Sequence, residues 1–333
     1  MKILVTGGAG FVGSHLVNHL IQDGHSVVVV DNFSTGSIQN LNEVINSPNL
    51  TVVNRNVELP FYKNAEPKFD QIYHLACPAS PKHYQKNKVD TLKTCFLGTL
   101  NVLELARSQN NNATVLLAST SEIYGDPLVH PQTETNFGNV NTYGPRSCYD
   151  EGKRVGESLM YSFRNTYSID TRIARIFNTY GPNMNCDDGR VVSNFIVQNI
   201  KGEKLTVYGD GKQTRSLQFI SDLISGLVLL MNTKHPNIHE PINLGNPQEI
   251  TILRLAEKIS KMDYEGLDWS KEKFIDHSDA RPIDDPKKRK PDISKAKNLL
   301  HWKPLINLDD GLEITKKYFT TKIFEDNPTQ TNI

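Results

Sequence analysis

The chain lacks long apolar runs, a surplus of either charge, and a cysteine framework. No apolar run approaches the roughly 18 residues of a membrane-crossing helix. The 37 Lys and Arg residues balance 37 Asp and Glu, so no overall field exists to hold nucleic acid or an anionic membrane. An anionic substrate then requires a local basic pocket. The four cysteines, Cys77, Cys95, Cys148 and Cys186, are widely spaced and form no CxxC pair. They are expected to be reduced thiols, not a disulfide framework or a zinc site. The first residues enter a strand pattern at Lys2, without the charged and apolar regions of a secretory leader. The expectation is a cytoplasmic protein with no nucleic-acid or membrane partner. With 22% charged and 38% hydrophobic residues, the composition fits neither a disordered nor a collagen-like chain. A length of 333 residues suggests about two domains.

What is present is alternation. Apolar, largely β-branched runs at residues 3–6, 26–30, 51–54, 71–75, 114–118 and 171–176 read as strands. Segments 11–23, 89–109 and 149–166 between them read as helices. The unbroken run Val27-Val28-Val29-Val30 suits a strand buried on both faces of a parallel sheet. Strands alternating with helices predict an α/β fold with a doubly wound parallel sheet of the Rossmann type. Beyond Gly181 the pattern changes. Helical segments 191–201, 220–231, 252–261 and 308–320 lie among Pro- and Gly-rich loops and short strands. The division predicted is a cofactor domain over 1–180 and a smaller α/β substrate domain over 181–322, whose segments can interleave. A polar, flexible tail over 323–333 completes it.

Strand residues Ile3-Leu4-Val5-Thr6 run into Gly7-Gly8-Ala9-Gly10-Phe11-Val12-Gly13. Gly8-x-Gly10-x-x-Gly13 fits the dinucleotide fingerprint, and Gly7-x-x-Gly10-x-x-Gly13 fits its shifted variant. Such glycines permit a tight turn and bring backbone N–H groups to a pyrophosphate at the helix N-terminus. Asp31 closes the second strand, where a carboxylate accepts from both ribose hydroxyls of NAD and repels the extra phosphate of NADP. Strand, glycine loop, helix, strand and acid occur in order, which is the context the motif requires.

Tyr149 and Lys153 stand four apart, one turn along a helix face. An ammonium there can lower a phenol towards neutrality and make it a base for an alcohol under oxidation by NAD. The spacing recurs at Tyr84/Lys88, Tyr208/Lys212 and Tyr318/Lys322, where a solvent-facing Tyr is the simpler expectation. Tyr149 is distinguished by its place. It opens a long helix after the strand that ends in Ser119-Thr120-Ser121-Glu122, and carboxyl ends of strands form the ligand crevice of such sheets. His15 and His19 share a helix face without the acid of an HExxH site, and read as surface histidines. Asp187-Asp188-Gly189 lacks the further ligands of a cation loop.

The segments TGGAGFVG, ASTSEIYGD, CYDEGK and RIFNTYGP together resemble the extended short-chain dehydrogenase/reductase family of nucleotide-sugar enzymes. The resemblance runs from about Lys2 to Tyr318. Its finer features, among them VDNFSTG, HLACPASP, DDGRVVSNFI, LTVYGDGKQTRSLQF and DDPKKRKPDI, are similar to the branch that converts UDP-glucuronate to UDP-xylose. The resemblance implies that Tyr149 takes the proton of the sugar 4-OH while hydride passes from C4 to NAD. In the resembling 4,6-dehydratases the same strand ends Thr-Asp-Glu, an adjacent acid and base that expel water. Here Thr120-Ser121-Glu122 lacks that Asp, so the acid–base pair for expelling water is incomplete. Decarboxylation needs less, because the 4-ketone is already the electron sink for loss of the C6 carboxylate. Arg289, in Lys288-Arg289-Lys290, is implied to reach the active site.

Further residues follow from the resemblance. Phe11, Val12, Asn32, Ser34, Thr35, Gly36, Asn56, Val57, Leu75, Cys77, Thr94, Ala118, Thr179 and Arg190 join Gly7, Gly10, Gly13, Asp31, Tyr149 and Lys153 around NAD. Lys93, Asn178, Arg190, Val191, Asn194, Tyr208, Arg215 and Arg281 surround the UDP-sugar, the arginines serving its diphosphate. Two positions depart from the family: Asn56 stands where an Asp is usual, and Cys95 where an Asn is usual. A homodimer is implied, with helices 89–109 and 149–166 pairing with their copies. A nucleotide-sugar dehydratase or 4-epimerase, and a catalytically silent NAD-binding regulator, are the alternatives. Retention of Tyr149, Lys153, Glu122 and Arg289 together argues against silence.

Overall fold

The structure, a computed structural model, describes residues 1–61, 67–110, 113–262, 275–278 and 288–326, with the backbone alone at 275–278, 325 and 326. All six expected strands form: β1 (Lys2–Thr6), β2 (Ser26–Asp31), β3 (Leu50–Asn54), β4 (Gln71–His74), β5 (Thr114–Thr120) and β6 (Thr171–Ile176). Every pairing among them is parallel. Their residues alternate between two buried layers. Ile3, Val5, Val27 and Val29 face one cluster, and Leu4, Val28 and Val30 the other. Burial on both faces is why these strands read as unbroken apolar runs.

The short strands are β7 (Thr179–Tyr180), β8 (Leu205–Tyr208), β9 (Thr214–Ser216), β10 (Gln218–Phe219), β11 (Ile242–Leu244), β12 (Glu249–Thr251) and β13 (Ile275–Ser278). Six of them form two-stranded pairs, β10 with β7, β12 with β9 and β13 with β8, whereas β11 joins the main sheet. The main order is β11-β6-β5-β4-β1-β2-β3. The chain reverses direction of growth between β1 and β4, and that switch point opens a crevice at the strand ends.

The helices are α1 (Phe11–Gln22), α2 (Pro81–Lys86), α3 (Lys88–Lys93), α4 (Thr99–Ser108), α5 (Ser147–Tyr167), α6 (Val191–Ile200), α7 (Ile220–Asn232), α8 (Ile252–Ser260), α9 (Ser294–Leu300) and α10 (Leu308–Asp326). The segment 89–109, expected as one helix, is instead α3, a π turn over Thr94–Gly98, and α4. The stretch assigned to the substrate domain also returns to the first sheet: β11 pairs with β6, and α7 packs on α1 and β6. Residues 323–326 of the expected flexible tail belong to α10, which continues to Asp326, and 327–333 lie outside the described residues.

Candidate active site

Two cavities meet at the carboxyl ends of the strands. The first, about 390 Å³, is lined by Thr120, Ser121, Glu122, Tyr149, Lys153 and Arg289, so all six expected catalytic residues come together. The second, about 490 Å³, lies over the glycine loop. Val12, Leu75, Cys77 and Arg190 line both.

The second cavity follows from the turn after β1. A side-chain carbon on Gly13 would stand 2.1 Å from the Gly7 carbonyl oxygen, and one on Gly36 2.8 Å from that of Ala9. Only backbone fits there, which leaves a cradle floored by the first turn of α1. Asp31 is buried and accepts from the Ala9 and Phe33 amides at 2.9 and 2.8 Å. Burial pushes its carboxyl up, while those amides hold it down. Of the expected cofactor residues, Gly7, Gly10, Phe11, Val12, Gly13, Asp31, Asn32, Ser34, Thr35, Gly36, Asn56, Val57, Leu75, Cys77, Thr94 and Arg190 line this cavity. Ala118, Tyr149, Lys153 and Thr179 line the first instead. Asn56 already accepts from the Glu58 amide at 3.2 Å through its side-chain oxygen. The cradle and the ribose-side carboxylate suit a dinucleotide without a 2′-phosphate.

In the first cavity Tyr149 and Lys153 project from the first turns of α5. The Lys153 Nζ donates to the Ala118 carbonyl at 2.8 Å and lies 5.9 Å from the Tyr149 ring centroid. Burial pushes the Tyr149 phenol well above its ordinary value, the Cys77 thiol adds to the rise, and a hydrogen bond with Thr120 opposes it. In the folded chain the net direction is upward, against the lowering expected from Lys153, with the ammonium beside the ring and bonded to a carbonyl of β5.

Glu122 follows β5 in a short 3-10 turn capped by the Thr120 hydroxyl. Its carboxylate bonds both Arg146 and Arg289, one on each oxygen. Arg289 is buried, and that burial lowers its guanidinium to about 10. Arg146 also pairs with the buried Asp150 at 3.7 Å, so the cluster sets two arginines against two carboxylates.

Sequence reasoning missed Arg146 and misread Tyr84. Arg146 sits three residues before Tyr149, and no spacing rule marked it. Tyr84 was expected on the surface, yet it is buried and stacks on Tyr149 with centroids 4.9 Å apart and planes within 5°. Tyr84 lines the cleft, and its buried hydroxyl has no protein partner among the described residues.

Of the expected substrate residues, Asn178, Arg190, Val191, Asn194, Tyr208 and Arg215 line the first cavity. Arg190 bonds Asp188 at 2.8 Å and covers the Phe11 ring. Lys93 is exposed on α3 and lines neither cavity. The side chain points away because α3 turns its buried face, Thr91, inward. Arg281 lies outside the described residues.

A family model described as GDP-mannose 4,6 dehydratase matches residues 4–315. The chain belongs to that family. Membership in the extended short-chain dehydrogenase/reductase group is thereby borne out. Among curated relatives, UDP-glucuronic acid decarboxylase 1 of Xenopus tropicalis is 52% identical over 322 residues, covering 97% of this chain and 73% of that protein. UDP-glucuronic acid decarboxylase 4 of Arabidopsis thaliana is 52% identical over 327 residues, covering 98% and 70%. Among solved structures, UDP-glucuronic acid 4-epimerase from Bacillus cereus, in complex with UDP-glucuronic acid and NAD, is 28% identical with a TM-score of 0.85. That match covers 97% of this chain and all of the other.

Proposed function

We propose that this protein decarboxylates UDP-glucuronate to UDP-xylose and carbon dioxide, with NAD resident in the glycine-loop cavity. One observation carries the reading: the buried Arg289 enters the cavity of Tyr149 and Lys153 and is held there by Glu122. The half-identity to proteins named UDP-glucuronic acid decarboxylase supports it.

The residues divide the work. Tyr149 accepts the 4-OH proton, and Thr120 and the stacked Tyr84 hold its ring in place. Bound NAD supplies the hydride acceptor at C4 and a positive ring charge that, with Lys153, favours the phenolate. Arg289 orients the C6 carboxylate. A tight ion pair there would stabilise the reactant and oppose loss of neutral carbon dioxide. The Glu122 carboxylate tempers this, because it competes for the same guanidinium. Ser121 leaves the site without the acid needed to expel water. The UDP diphosphate is served by Arg190 and Arg215 near the opening of α6.

A second reading, 4-epimerisation of the same sugar, draws on the solved structure of a UDP-glucuronic acid 4-epimerase. Mass spectrometry of the products from UDP-glucuronate separates the two. UDP-xylose with one carbon dioxide per turnover, on catalytic NAD, is expected. Retention of all six sugar carbons, or stoichiometric NADH, overturns the proposal. Tyr149→Phe should lower turnover by about 10²–10⁴-fold, the usual range for loss of a proton-transfer group, while UDP-sugar binding persists.

A further inference from the structure

We propose that Cys77 and Cys95 form a peroxide-sensitive dithiol that closes to a disulfide beside the catalytic helix and weakens cofactor binding. Their sulfurs lie 3.2 Å apart in a thiol–thiol hydrogen bond. A disulfide needs about 2.05 Å, so closure requires about 1.1 Å of approach. The two residues come from different elements. Cys77 follows β4 and lines both cavities at their junction. Cys95 is buried in the π turn, packed where α5 has Gly152: a side-chain carbon at Gly152 would stand 3.0 Å from the Cys95 sulfur. The neighbouring residue on α5 is Lys153. A π turn departs from the regular helix on either side of it, and Cys95 sits within it.

The asymmetry of the pair suits the chemistry. The hydrogen bond from Cys95 lowers the Cys77 thiol, burial opposes, and the Lys153 ammonium adds to the lowering. Cys77 is also the thiol that meets the cleft, so it is the one a small oxidant reaches. Its thiolate attacks the O–O bond of a peroxide, giving a sulfenic acid and releasing hydroxide, which leaves as water. The Cys95 sulfur then attacks the Cys77 sulfur, its proton leaves with the displaced hydroxide as a second water, and the S–S bond forms. Two thiols lose two electrons and two protons, and one hydrogen peroxide becomes two waters. The bridge shifts the wall shared by the cofactor cavity and α5.

Treating the full chain with hydrogen peroxide, then alkylating and digesting without reductant, tests this. A peptide pair joining residues 77 and 95, two hydrogens lighter than the dithiol, is expected. NAD affinity, read directly by titration, should fall at least tenfold and return with dithiothreitol. Saturating NAD should slow bridging at least threefold by covering Cys77. In Cys95→Ala, no bridge forms, and peroxide carries Cys77 to a sulfinic acid that dithiothreitol does not restore. A wild-type chain without the 77–95 bridge, a bridged chain with unchanged NAD affinity, or equal bridging rates with and without NAD overturns the proposal. Because the readouts are a cross-link and NAD binding, they stand apart from the identity of the sugar substrate.

Discussion

At the scale of single residues, the carboxylate of Glu122 is the pivot of the site, and Arg146 is what frees it to act. Glu122 bridges two buried arginines. When a substrate carboxylate claims Arg289, Glu122 keeps Arg146 as its partner and no buried charge is orphaned. Without Arg146 the same exchange strands a carboxylate, and an unpaired buried charge is costly. Arg146→Met should therefore raise KM for UDP-glucuronate about ten- to hundredfold, at 1.4 kcal/mol per factor of ten, and leave NAD affinity unchanged. Arg146→Lys should recover part of the loss. Steady-state kinetics with direct NAD titration decide this, and an unaltered KM in Arg146→Met would refute it. Arg146 is a positioning residue, which explains its silence in the sequence. Tyr149, Lys153, Glu122 and Arg289 announce themselves through family motifs tied to chemistry. Arg146 and Tyr84 act only through what they touch, and contact across 24 or 65 positions is written in the fold, not in any local spacing.

At the scale of elements, long-period signals were legible and short irregular ones were not. The six main strands and α1, α5, α6, α7 and α8 carry enough apolar periodicity to be seen in the chain. Strand β11 has three residues, too few to show a period, and only tertiary pairing with β6 makes it a strand. The π turn at Thr94–Gly98 interrupts no hydrophobic stripe, so 89–109 reads as one helix. The junction of β1 and β4 shows how two elements are tied at the switch point. Thr6 Oγ and His74 Nδ1 lie 2.7 Å apart at their ends. Burial lowers His74 to about 3, and the Lys153 charge adds to this. The folded state thus keeps His74 neutral, whereas the unfolded chain protonates it near pH 6.5. Between pH 6.5 and 3 the unfolded state binds the extra proton, so stability falls as pH falls through that window. At about 1.4 kcal/mol per unit, His74 should cost about 2 kcal/mol at pH 5 relative to pH 7.5. Denaturant unfolding of wild type and His74→Asn at both pH values measures it. The wild type should lose about 2 kcal/mol more than the variant, and parallel losses would remove His74 as the cause.

At the scale of the whole molecule, the apolar surface left on one side predicts a partner. The neighbouring α3, π turn and α5 expose Val89, Leu92, Phe96, Val155 and Tyr161, with Val89 67% and Tyr161 70% accessible. These residues sit outside the two core clusters, so packing within one chain does not account for them. Isolated apolar residues are ordinary on a surface, but a contiguous group on adjacent helices marks an interaction face. The interior-facing residues of the same segments, Thr91, Cys95, Cys148 and Tyr149, are buried, and Tyr149 lines the active-site cavity. A two-fold axis through this face would join α3 and α5 to their copies in a four-helix contact, with each surface meeting itself. The resemblance to the family implies such a pairing, and amphipathic stripes alone do not separate it from core packing; the exposure of these side chains in the folded chain is what favours pairing. Sedimentation equilibrium should give about 75 kDa, twice the 37.5 kDa of one chain. The pair Leu92→Asp and Phe96→Asp should shift it to 37.5 kDa, since a like-charged patch cannot close on itself. Both positions lie on the exposed side of α3 and the π turn, which pack on the α5 that carries Tyr149, so monomerisation should also loosen the site and lower turnover. A wild-type chain that sediments as a monomer at micromolar concentration would leave this face without a partner of its own kind, and the double variant would then match wild type in both mass and activity.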